Sequence, residues 1–569
     1  MHVVTTRRHY KGRVYETHLL RRSFREGGQV RNQTLANLSH LPAATIELIR
    51  RSLRGEAFMA AADAFTIQRS RPHGHVAAVW AMASKLGLPA LLGPAGRKRD
   101  LAVGLIVARA CKPGSKLATV RWWADTTLAP DLGLQGADAD DVYQAMDWLV
   151  DQQPAIQQRL ARRHLHPGGL VLYDVSSSWL EGRTCPLAAF GYSRDGKRGK
   201  PQIVYGLVTD PDGRPVAVNV FGGDTGDPTA FAATVETVTS QLGLDRVVLV
   251  GDRGMITSAR VDALRELEGM DWITALRAPA VKRLATQGAI QLSLFDQTNL
   301  AEIAHPDYPE ERLVVCRNPA LGADRARKRG ELLDATDTAL DKIVAAVGAG
   351  RLKDAGKIGV RVGRVVNRYK MAKHYRLDIA TGRFAYAHDQ AAIGAEAALD
   401  GVYVLCTSVP TTTLDAPGVV TAYKRLAGVE RDFGSLKTVD LDVRPVHHRL
   451  EDRVKGHLLV CMLAAYLVWH LRQAWAPLCD TDEHPPGHHD PVAPARRSPA
   501  AQRKASQHTT TDGGIAHSFG TLIDHLACLS RDDITLGDTG TSIQKLAEPT
   551  PTQQRAFDLL GVPIPLRLG

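Results

Sequence analysis

GLVLYDVSSSW (169–179), QIVYGLVTD (202–210), RPVAVNVF (214–221), DPTAFAATVETVTSQLGL (227–244), RVVLVGD (246–252) and DWITALR (271–277) are the stretches that decide the fold. The first is an apolar, β-branched run that follows the breaker Pro167-Gly168-Gly169, so it reads as a buried strand. The next two read as strands joined by the turn Pro211-Asp212-Gly213-Arg214, giving a three-stranded meander over residues 170–221. Asp227-Pro228 supplies an N-cap and a first-turn proline for a helix that runs to Gly243. A fourth strand ending at Asp252, a short helix over 258–268 and a fifth strand complete the order βββαβαβ.

That order is the core of the ribonuclease H fold. The predicted class is therefore α/β: a ribonuclease H-like mixed sheet flanked by helices, interrupted by an insertion, with an N-terminal basic hairpin and a helical region before it. Working outward, seven segments are expected. They are a basic, DNA-binding hairpin (1–56), a helical domain (57–165), the first part of the core (166–280), an insertion (281–400), the second part of the core (401–476), a disordered linker (477–514) and a C-terminal tail (515–569). The hairpin turns at Gly27-Gly28. In the insertion a long polar helix covers 322–347, and the basic runs KIGVRVGRVV (357–366) and HYRLDIA (374–380) read as strands. The core resumes with the strand DGVYVLCTS (400–408), a helix over 421–437 and a second, apolar helix over 449–474. The linker is rich in Pro, His and Ser without periodicity, which makes its His484, His488 and His489 compositional rather than metal ligands.

Charge points to the partner. The 569 residues carry 71 Lys+Arg against 60 Asp+Glu, a net +11. Residues 1–54 alone hold eleven Lys/Arg and three Glu, and residues 351–383 hold ten Lys/Arg and two Asp. Two concentrated basic segments suit a polyanion, because each phosphate contact releases condensed counterions. Seven cysteines without a C-x-x-C pair argue against a zinc knuckle or a disulfide framework. The N-terminus lacks the apolar core of a signal peptide, and the longest apolar run, Leu458–Trp469, is too short to span a bilayer, so no membrane role is expected.

Three acids stand where chemistry could be done. Asp174 lies at the end of the first strand, Asp252 ends the fourth, and Glu430 lies in the helix after the insertion. Neighbouring strands are about 4.8 Å apart, so carboxylates at adjacent strand ends can share a pair of hard cations, Mg²⁺ or Mn²⁺, suited to in-line phosphoryl displacement. At 100° per residue, Tyr423, Leu426, Glu430, Phe433 and Lys437 fall within one 80° arc of the last core helix. A Glu and a Lys on an otherwise apolar face make sense beside a metal-bound phosphate.

YDVSSSWLEG (173–182), VLVGDRGMIT (248–257), DGVYVLCTS (400–408), YKRLAGVERDFGSLK (423–437) and VHHRLEDRVKGHLLVC (446–461) together resemble bacterial insertion-sequence DDE transposases of the "IS four" superfamily. The resemblance covers most of the chain. It implies that Asp174, Asp252 and Glu430 are the catalytic, metal-binding triad holding two Mg²⁺. It implies that Tyr423 and Lys437 of the family's Tyr-Arg-Glu-Lys helix signature contact DNA, with Arg253 beside them, and that Trp272 stacks on a flipped base. Leu426 stands where the family has Arg, and Arg425 is one position off that face. The implied activity is cleavage at inverted-repeat ends of a mobile element, followed by joining of the freed 3′-hydroxyl to target DNA. The working complex would be at least a homodimer on double-stranded DNA, in a bacterial cytoplasm at the nucleoid. A nuclease of the same fold that does not join, and a catalytically decayed DNA-binding repressor, are the alternatives.

Overall fold

The computed structural model describes residues 1–56, 58, 65–295, 298–487, 490–537 and 541–569. His488 and His489 therefore lie outside the described residues. The chain divides into two compact units, residues 1–70 with 531–547, and residues 71–530 with 548–569.

In the first unit, β1 (His2–Tyr10), β2 (Arg13–Glu26) and β3 (Gln29–Asn37) form an antiparallel sheet. Both connections are two-residue turns. Tyr10 pairs with Arg13 and Glu26 with Gln29, while Lys11, Gly12, Gly27 and Gly28 all have positive φ, the geometry whose twist matches that of the strands it joins. The sequence reading found the turn at Gly27-Gly28 and missed β1, so the expected hairpin is a three-stranded meander. A helix, Ala43–Leu53, and β4 (Phe65–Pro72) follow.

The second unit is built on one mixed sheet. Its strands are β5 (Gly169–Trp179), β6 (Gln202–Thr209), β7 (Pro215–Gly222), β8 (Val247–Val250), β9 (Met270–Ala275), β10 (Leu300–Ile303), β11 (Arg312–Arg317) and, after the hairpin β12 (Tyr375–Ala380) and β13 (Arg383–His388), β14 (Val402–Thr407). Their order across the sheet is β10-β11-β14-β9-β8-β5-β6-β7. β5, β6 and β7 are antiparallel neighbours, and β8 runs parallel to β5 and β9 to β8. All eight residues of β6 are buried, as befits an interior strand covered on both faces.

Helices close the sheet. Glu451–Ala474 has the length and apolar composition to cross a membrane, but most of it is buried against the protein's own helices Ala139–His164 and Arg97–Cys111 and against β7. Gly456 permits the close approach: a Cβ there would meet Met146 O at 3.2 Å.

Three sequence expectations are corrected. First, β10 and β11 of the supposed insertion belong to the main sheet, so the separate body is smaller: helices Pro319–Gly348 and Ala355–Tyr369 with the β12–β13 hairpin, around Leu340, Ile358, Val362, Tyr375 and Phe384. Second, KIGVRVGRVV is helical, because the buried Ile358, Val362 and Val366 are four apart, a spacing that satisfies a helix face as well as alternate strand positions. Third, the expected linker contains the helix Pro499–Gln507. Its buried Lys504 donates to the carbonyls of Ala476 (3.2 Å) and Cys479 (3.3 Å). The tail adds β15 (Ser530–Leu536) and β16 (Thr541–Leu546), which form the sheet β16-β15-β4 with the strand that follows the N-terminal meander.

Candidate active site

β5 and β8 run side by side in parallel, with Leu172 opposite Val250. Asp174 and Asp252 each lie two residues beyond that pair, which brings both carboxylates to the same edge of the sheet. Asp174 is still within β5, opposite Leu207 of β6, and its carboxylate accepts the N–H of Val175 at 2.7 Å. Asp252 is exposed just past β8, accepting from the Arg253 N–H at 2.7 Å and from the Tyr423 hydroxyl at 3.5 Å.

Glu430 comes from above. The expected single helix over 421–437 is three pieces: Ala416–Lys424, Leu426–Gly434 and a π-helical segment, Ser435–Val439. The middle piece packs against β5 through its buried Leu426, Val429 and Phe433, leaving Glu430 exposed. Phe433 meets Tyr205 of β6 edge-on at 5.7 Å between ring centroids.

Electrostatics tie the three acids together. Burial pushes the Asp174 carboxyl up to about 7, against the pull of the Val175 N–H, and the negative charges of Glu430 and Asp252 add to the rise. Arg194 opposes it. Tyr423 is likewise raised, first by burial and then by the charge of Asp252. Among the described residues, no three His, Cys, Asp or Glu side chains stand close enough together to enclose an ion. The donor set nevertheless fits a hard divalent cation, since the charges of Glu430 and Asp252 both bear on the Asp174 carboxyl and carboxylate oxygens suit such an ion.

The other predicted residues fall out differently. Arg253 is exposed beside Asp252, and its carbonyl accepts from Arg277 Nε at 3.3 Å. Lys437 is 9% exposed and is not a free cation: its ammonium donates to the buried Asp195 at 2.8 Å, and Arg444 pairs with the same oxygen. Lys437 lies in the π-helical segment Ser435–Val439, on the arc it shares with the buried Leu426 and Phe433. Trp272 is a core residue at 3% exposure, paired with Leu249 in the β8–β9 ladder, and is not placed to stack on a base. Its position in a central strand, rather than in the loop after Asp252, decides this. Leu426, at the family's Arg position, is buried.

Reasoning from the sequence missed Arg194, Asp195 and Asp227. Arg194 pairs with Asp227, and both line a cavity of about 340 Å³ together with Tyr192, Gln202 and Arg277. Gly254 separates Asp227 from Asp252: a Cβ on it would lie 3.5 Å from Asp227 Oδ2 and 3.8 Å from Asp252 Oδ2. Asp227 reads in the sequence as a helix cap, and the loop holding Arg194 and Asp195 has no period to mark it.

Residues 178–467 match the Transposase DDE domain family, and the chain belongs to that family. Residues 3–63 match the IS1634 family transposase, N-terminal domain, which makes the protein an insertion-sequence DDE transposase. A solved structure, a piggyBac transposase synaptic complex with hairpin DNA, is similar at 9% identity over 80% of this chain and 76% of that one, with a TM-score of 0.34. No curated protein matches the chain.

Proposed function

We propose that this transposase, of the "IS four" superfamily with a ribonuclease H-like core, cleaves DNA at the inverted-repeat ends of its element and joins the freed 3′-hydroxyl to target DNA. The observation that carries the reading is the register of Asp174 and Asp252 on adjacent parallel strands, with Glu430 raising the proton affinity of Asp174 from the helix above. The sheet order, three antiparallel strands followed by two parallel ones, supports the ribonuclease H-like assignment.

Asp174, Asp252 and Glu430 would hold two Mg²⁺, or Mn²⁺. When bound, the ions would lower the pKa of the attacking water or hydroxyl and stabilise charge on the phosphoryl oxygens. The chain's own groups do the rest. Tyr423 steadies Asp252 through its hydroxyl. Arg253, exposed beside that carboxylate, contacts a DNA phosphate. Lys437 acts at one remove, as a positioning group that with Arg444 neutralises Asp195. In the first step a water oxygen bonds to phosphorus and the 3′-oxygen leaves; in the second, that 3′-hydroxyl loses its proton and its oxygen bonds to a target phosphorus, while the target strand's own 3′-oxygen leaves and takes up a proton. Two ends must be joined, so the working complex is at least a homodimer on double-stranded DNA, acting in the cytoplasm at the nucleoid.

The test uses the full chain with duplexes carrying the element's ends. Mg²⁺-dependent nicks and strand-transfer products are expected, and Asp174→Asn or Glu430→Gln should each reduce both by at least about 10³-fold, several kcal/mol of transition-state stabilisation. Unchanged cleavage in either variant would remove that residue from the site. Nicks without joined products would leave a nuclease.

A further inference from the structure

Away from the acidic site, the second unit encloses a cavity of about 230 Å³ lined by basic groups. Arg109 and Lys116 reach it from the helical region, Arg444, His447 and His448 from the segment that leads into the long buried helix, and His457 from that helix itself. Arg109 and Lys116 are 6% and 5% exposed, and among the described residues neither has a carboxylate partner. Arg109 is held by two carbonyls, Gly114 O at 2.9 Å and Leu441 O at 3.3 Å. His457 donates through Nε2 to Val443 O at 3.2 Å, which leaves Nδ1 to accept from the Lys116 ammonium at 3.4 Å. Arg444 is already matched by Asp195. Asp442 also lines the cavity, but it is exposed, where water screens it.

Two buried cations held only by neutral groups are costly, because desolvation is not offset by an opposite charge. Burial first, and then the charge of Arg109, bring Lys116 down to about 7. The same two cations, after burial, help hold His448 and His457 neutral. The ten-residue helix Lys116–Asp125 begins at the cavity wall, where Gly114 and its cap Ser115 present the positive end of the helix.

We propose that this cavity is a phosphate-binding site, in which Arg109, Lys116 and the helix start at Ser115 surround one phosphate group. The ligand is either free phosphate or a phosphate of the DNA backbone, and the site stands whether or not the chain cuts DNA. Its volume admits a tetrahedral anion with a few waters and excludes a whole nucleotide bound in place.

The test is equilibrium dialysis of the full chain against radiolabelled inorganic phosphate in chloride buffer, with thermal melts alongside. One phosphate per chain and a Tm that rises with phosphate are expected. Lys116→Met should weaken that binding at least tenfold. His448→Glu places a fixed carboxylate among the cations, so it should raise Tm in phosphate-free buffer and abolish the phosphate-dependent rise, a gain that a misfolded variant cannot produce. Unlabelled duplex DNA added to the loaded chain identifies the source: release of label means a backbone phosphate, retention a free one. The proposal is overturned if the wild-type chain shows no saturable binding, or if both variants bind phosphate as the wild type does.

Discussion

Gly206 has no room for a methyl group, because a Cβ there would run into the Tyr173 ring. Tyr173 is fully buried, with its hydroxyl donating to Ala230 O at 3.2 Å, so the ring cannot swing away. Gly206→Ala is expected to cost about 1–3 kcal/mol by overpacking. Since Gly206 lies opposite Val175, next to Asp174, cleavage activity should fall along with the melting temperature. A melt unchanged from wild type would contradict the packing. At this scale the sequence was readable where chemistry and period coincided: Asp174 and Asp252 end apolar runs, and an acid there is conspicuous. It was opaque where a residue is explained only by a distant partner. Nothing near Asp195 announces Lys437 and Arg444, and Trp272 could be assigned only once β9 was known to be interior.

Among the elements, the helix Ala355–Tyr369 is the most two-sided. Ile358, Val362 and Val366 are buried, while Lys357, Arg361, Arg364 and Arg368 are exposed within a 60° arc at 100° per residue. Asp354 caps it, accepting the Lys357 N–H at 2.8 Å. If this stripe lies along a DNA backbone, changing each cation to Gln should lower affinity for any duplex alike and reduce the slope of log K against log salt by roughly 0.9 for every phosphate no longer neutralised. Filter binding across a salt series measures it; an unaltered slope in the fourfold variant would take the stripe off the DNA. The strand reading of this segment failed because positions four apart serve both periodicities. The helix carrying Glu430 was legible in kind, but its π-helical end was not, since no residue type encodes an extra residue per turn.

For the whole molecule, buried imidazoles set the response to acid. His75 and His448 are held down at about 3 and His164 and His470 at about 4, all chiefly by burial, and His457 is lowered well below its usual value. Each takes up a proton on unfolding once the pH is below about 6.5, so the stability they contribute is present above that pH and is lost as it falls towards 4. Asp174 and Asp432, raised to about 7 by burial, act in the opposite sense between 3.8 and 7, because their folded forms hold the extra proton. With His517 also lowered and Asp210 also raised, both first by burial, six imidazoles stand against three carboxyls and predict a Tm that drops between pH 7 and 5 in metal-free buffer; a Tm that held or rose would contradict the burial of these rings. The order of strands in the core could be read from the sequence, because each is local and periodic. The return of β15 and β16 to β4 could not, since pairing across more than four hundred residues leaves no local trace. That return has a consequence for biosynthesis. The sheet following the meander cannot close until residues 530–546 have left the ribosome, and a message truncated before them leaves both units unfinished, since residues 548–569 belong to the second.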